Sequence, residues 1–153
     1  MDKQQIGAHV IALAVAFALA IPIGWDREKK ERSAGLRTFP LVALASCGFI
    51  QACESLLGTH PEGMSKVIEG IITGIGFVGG GAILKHGSSV YGTATAASLW
   101  ATGAVGVAVG LGAYDVAATI ALFTFLTLRL LTPFKEEGEV NDGEAKPKKS
   151  TDG

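Results

Sequence analysis

Five apolar stretches, at about residues 6 to 24, 39 to 58, 67 to 84, 94 to 112 and 114 to 131, approach the roughly 17 to 25 residues that a helix needs to cross a hydrocarbon core. Repeated along one chain, that length confines the fold. In lipid every backbone N–H and C=O must find its partner within the protein, and a helix supplies those partners inside each stretch. The expected fold class is an all-α membrane protein of about five transmembrane helices, with residues 1 to 133 as its domain. Only 18% of the residues are charged, which agrees with a lipid solvent. The first stretch is longer than the apolar core of a cleaved leader and lacks a small-x-small site before the charges that follow, so it reads as a retained helix. From Lys135 the sequence KEEGEVNDGEAKPKKSTDG is almost without apolar residues, and residues 134 to 153 read as a disordered polar tail on the cytoplasmic side.

Basic residues set the expected orientation. Arg27, Lys29, Lys30, Arg32 and Arg37 share the first loop, Lys85 lies in the third, and Arg129, Lys135, Lys146, Lys148 and Lys149 follow the fifth stretch, whereas Lys3 and Lys66 lie on the other side. Basic loops stay in the cytoplasm, which puts the N-terminus outside and the C-terminus inside. A net charge of −1 gives nucleic acid no electrostatic hold, so that partner class is excluded. Cys47 and Cys53 sit within one apolar run at no metal-binding spacing and read as small buried hydrophobes. The sequence has no Gly-x-Ser-x-Gly elbow and no phosphate-binding Gly-x4-Gly-Lys-Ser/Thr loop, and its three histidines are scattered. No catalytic role is expected.

The stretch GIGFVGGGAIL, residues 74 to 84, is apolar yet carries five glycines in its first eight residues. Each interior glycine costs a helix about 1 kcal/mol relative to alanine, so something must offset the run. Small residues four apart let membrane helices approach closely. Gly70/Gly74 and Gly76/Gly80 in the third stretch and Gly106/Gly110 in the fourth have that spacing, and they predict a tight Gly/Ala-rich seam between helices three and four. Three consecutive glycines, Gly79, Gly80 and Gly81, point in too many directions for one seam. They suggest a local break of the kind that presents backbone groups to an ion.

GWDREKKERSAGLRTFPLVALAS, residues 24 to 46, resembles the signature of the MgtC/SapB family of bacterial inner-membrane proteins. GIITGIGFVGGGAIL and TATAASLWATGAVGVAVGLG resemble that family's next two blocks, and the likeness covers roughly residues 5 to 131. It implies a small polytopic protein of the bacterial plasma membrane, connected with magnesium limitation, acid stress and survival inside host cells. It further implies a regulator of other membrane machines such as the rotary ATP synthase, in a short form without the soluble C-terminal domain of longer members. Carried over residue by residue, the family motif falls on Asp26, Arg27, Glu28, Gly35, Leu36, Arg37 and Thr38.

An arginine beside an apolar helix start suits a bidentate carboxylate contact, so an Asp26–Arg37 or Glu28–Arg37 pair is expected to fix the first hairpin. Lys29, Lys30, Glu31 and Arg32 read as solvated anchors. Glu54, Glu69 and Asp115 fall near the outer leaflet, and oxygen ligands of this kind suit magnesium. They form the candidate metal group, with Mg2+ as the cation it would take. The leading expectation is a regulator of magnesium homeostasis that modulates other membrane proteins. The alternative is a magnesium or proton channel or transporter acting as a homo-oligomer, with these carboxylates at its mouth.

Overall fold

Each apolar stretch is a helix in the computed structural model, which describes residues 3–30, 32–58, 60–86 and 89–131. The order is α1 (Lys3–Lys29), α2 (Thr38–Leu57), α3 (Pro61–Gly81), a hairpin of β1 (Leu84–His86) and β2 (Ser89–Tyr91), α4 (Thr93–Gly110) and α5 (Tyr114–Leu130). The polar tail lies outside the described residues. By length and composition α1, Thr38–Leu56 of α2, and α4 are able to cross a membrane. The five helices match the expected count. Helix α3 spends its first turns on Glu62, Lys66 and Glu69, and α5 has 17 residues, the lower end of a bilayer span.

The hairpin was not anticipated. Its strands pair antiparallel, with Leu84 opposite Tyr91 and Lys85 opposite Val90. A tight turn joins the last two helices. Gly112 takes φ +77°, the Ala113 N–H bonds the Ala108 carbonyl at 2.8 Å, and the Gly112 N–H bonds Val109 at 3.0 Å. Those two bonds are the crossed pair that closes a helix through a left-handed glycine.

Helix α4 is the hub, in contact with each of the other four helices. Its buried residues, among them Thr95, Leu99, Gly103, Val105, Gly106 and Val109, cover a broad face, while Ala97 and Trp100 stay exposed on the other. So wide a buried face suits a helix whose sequence is mostly small and apolar. Two of its buried hydroxyls are satisfied within the helix: Ser98 Oγ donates to the Thr95 carbonyl at 2.9 Å and Thr102 Oγ1 to that of Ser98 at 2.8 Å. Helix α1 contributes a stripe of Ala12, Ala16, Ala20 and Ile23, and α2 a stripe of Phe39, Ala43, Cys47 and Ile50. Bulky apolar side chains, among them Ile11, Phe17, Phe49, Phe77, Trp100 and Phe123, are exposed on the outside. Small residues within and large ones without is the arrangement of a bundle bathed in lipid, where close backbone approach drives association.

The glycines of α4 meet a different partner from the one expected. A Cβ on Gly106 would overlap the Ala43 carbonyl oxygen and lie 2.7 Å from Ser46 Cβ, and one on Gly110 would lie 2.7 Å from Ile50 Cβ. Both residues face α2. The α3–α4 seam is made instead at Gly103, against Ile75, and at Gly79, whose added Cβ would lie 3.3 Å from the Ala96 carbonyl. Gly74, Gly76, Gly80 and Gly81 meet nothing within 4 Å. Gly70 and Gly74 border an apolar groove of about 490 Å3 between α2 and α3, on a side other than the α4 seam expected of them. The triple glycine is helical through Gly81 and ends α3, with Ala82 and Ile83 N–H groups on the carbonyls of Gly79 and Gly80 at 3.0 and 3.2 Å.

Candidate functional site

The first loop, the end of α3, the start of α4 and the end of α5 meet at one end of the bundle. Gly24 brings α1 onto the start of α2: a Cβ there would lie 3.2 Å from Leu36 Cα and 3.3 Å from Phe39 Cβ. One turn later Glu28 reaches back, and its Oε2 accepts the Leu36 N–H at 2.9 Å. A Cβ on Gly35 would overlap that carboxylate, which explains the glycine. The Gly35 carbonyl then accepts the N–H groups of Thr38 at 3.0 Å and Phe39 at 3.2 Å, the first turn of α2. The Glu28 negative charge thus sits beside a helix N-terminus, where the peptide dipole favours it.

Arg27 is buried, at 3% exposure, inside the end of α1. Its Nε donates to Asp26 Oδ2 at 3.1 Å and its Nη2 contacts the same oxygen. Lys30 Nζ holds the other oxygen at 3.2 Å and donates to the Leu128 carbonyl, also at 3.2 Å. One ammonium therefore joins the ends of α1 and α5. Ser33 Oγ donates to the Ala82 carbonyl at 3.2 Å, tying the loop to the end of α3. A Cβ on Gly92 (φ +88°) would overlap that same carbonyl oxygen. Trp25 is exposed beneath Lys29, whose Nζ lies 5.3 Å from the ring centroid, an interfacial pairing of aromatic and cation.

The structure thus gathers Asp26, Arg27, Glu28, Gly35 and Leu36, with Thr38 at the first position of α2. It leaves Arg37 out. That side chain is exposed at the N-cap of α2 and makes no ion pair among the described residues, so neither expected pair forms. Asp26 already has Arg27 and Lys30, while Glu28 is taken by a backbone N–H. Sequence reasoning also missed Ser33 and took Lys30 for a solvated anchor, although Lys30 stands four residues after Asp26, the helical spacing of an ion pair. Glu54, Glu69 and Asp115 are exposed on three helices, with Asp115 on α5, which packs on α1 and α4 rather than on the other two. No group of three or more His, Cys, Asp or Glu side chains forms a metal cage among the described residues. Glu54, Glu69 and Asp115 are thus not brought together as a group within the described chain.

A model of the MgtC family matches residues 13–137. The chain belongs to the MgtC family. It is 41% identical to Protein MgtC of Brucella abortus (strain 2308) over 127 residues, which is 82% of this chain and 52% of that protein. Protein MgtC of Salmonella typhimurium (strain LT2) is 39% identical over 123 residues, 79% of this chain and 52% of the relative. An uncharacterized protein of Synechocystis is 38% identical over 128 residues, 82% of this chain and 54% of the other. The chain spans about half the length of these curated relatives. No solved structure matches it. Family membership and the apolar helices make this a bacterial membrane protein.

Proposed function

We propose that this protein acts in the bacterial inner membrane, with its N-terminus outside, as a regulator that supports magnesium homeostasis and adaptation to stress or a host. It acts by binding other membrane proteins, the ATP synthase among the candidates, and it catalyses no reaction. The observation that carries this reading is the placement of the family's charged motif. Its members are assembled at one bundle end, ion-paired or bonded to backbone, with Arg37 left on the surface, where a partner's carboxylate can reach it. From Ser98 onward the buried face of α4 is small, apolar or internally hydrogen-bonded, which suits a rigid scaffold more than an ion path.

Two measurements test it together. The pure protein in liposomes with an internal magnesium dye should show no flux above empty vesicles. In a deletion strain grown at low magnesium, Arg37→Ala should fail to complement at normal membrane abundance and should lose the crosslinked partner that copurifies with wild type. Magnesium flux, or full complementation by Arg37→Ala, would sink the regulatory reading.

A further inference from the structure

Beside the Asp26–Arg27 pair a cavity of about 190 Å3 opens between the ends of α1 and α5 and the start of α4. Arg27 and Arg32 line it, with the hydroxyl-bearing residues Thr93, Thr95 and Thr127. Counted with Asp26 and Lys30, the ion-pair partners of this wall, the two arginines leave two positive charges in excess.

Thr95 is 1% exposed, and its hydroxyl makes no hydrogen bond among the described residues, although its carbonyl accepts one from Ser98. The surface that it keeps belongs to the cavity wall. Helix α4 is also uncapped: its N-cap, Gly92, offers no side chain, and a Cβ there would overlap the Ala82 carbonyl. The first α4 hydrogen bond is from the Ala96 N–H to the Gly92 carbonyl at 2.8 Å. The N–H groups of Thr93, Ala94 and Thr95 therefore stand free of the helix ladder beside the cavity. Guanidinium, hydroxyl and helix N-terminal donors together form the surroundings that a tetrahedral oxyanion takes.

We propose that this cavity binds one phosphate group. The volume of about 190 Å3 lies below the roughly 300–1,000 Å3 of pockets for drug-sized ligands, so it holds a single phosphate group, and the rest of any larger molecule that carries it stays outside. Basic pockets between membrane helices take lipid headgroups in this way, and free phosphate offers the same chemistry. The site stands whether or not the protein regulates another.

The full chain in detergent separates the two sources. Inorganic phosphate, titrated against chloride at matched ionic strength, is followed by the melting temperature. Phosphatidylglycerol and a neutral galactolipid, doped into the micelles, are followed by native mass spectrometry. Wild type is expected to bind inorganic phosphate, or to retain phosphatidylglycerol over galactolipid, and the arm that responds names the source. Arg32→Gln, on an exposed side chain, and Thr95→Val, nearly isosteric, should each weaken that binding about tenfold with folding intact. Lys85→Gln, on the hairpin, should leave it unchanged and controls for general loss of charge. Binding by neither probe overturns the proposal, as does binding by both variants as tight as wild type.

Discussion

The Glu28 carboxylate occupies the space that a side chain at Gly35 would take. Gly35→Ala should push it off the Leu36 N–H and cost about 1 kcal/mol, the net worth of a hydrogen bond. In a Glu28→Ala background the same change should cost much less. A double-mutant cycle by denaturant unfolding in detergent measures this coupling; strictly additive effects would disprove the relationship.

Asp26→Asn should be the most damaging single change at the site. It removes the charge that compensates Arg27, whose side chain is 4% exposed, and a buried charge left unpaired costs up to about 3 kcal/mol at such a boundary. Arg37→Ala, on the surface, should shift stability by less than about 0.5 kcal/mol. Thermal unfolding of both variants ranks them, and a larger drop for Arg37→Ala would reverse this assignment.

The glycines should divide by helix face. Gly106→Ala sets a methyl against the α2 backbone and should lower melting temperature and yield, because over-packing costs about 1–3 kcal/mol. Gly76→Ala meets nothing within 4 Å and should be neutral or stabilising by up to about 1 kcal/mol. Equal effects from the two would argue against the α2–α4 contact.

Orientation is open to labelling. With Cys47→Ala and Cys53→Ala in place, Arg32→Cys should resist an impermeant maleimide in intact cells, and Glu62→Cys should react. The opposite pattern would invert the topology.

The helices were legible because length alone marks them: a lipid solvent demands long apolar runs, and Ile6 to Gly24 or Ala94 to Gly110 can do little else. The hairpin was not, since two three-residue strands around Gly87-Ser88 give too short an alternation to separate from loop. Spacing showed that Gly106 and Gly110 permit a close neighbour but not which one, because periodicity along one helix carries no information about its partner. The same limit applies to the charges. Which carboxylate Arg37 would meet depended on a tertiary approach, and Asp26 had a nearer solution in Arg27 and Lys30, within its own helix.

The central position of α4 has a consequence in time. The helix that every other helix leans on is the fourth of five to leave the ribosome, so α1, α2 and α3 enter the membrane before their common support exists. Until then the small faces of α1 and α2 lack α4 as a neighbour, and α3 has chiefly α2 and lipid. Stalled chains ending at Gly92 should accordingly be cut by a membrane protease much faster than chains ending at Leu131, and equal rates would refute this order. On this order the bundle cannot close before α4 arrives, and the exposed small faces of α1 and α2 make that interval the one a protease would exploit.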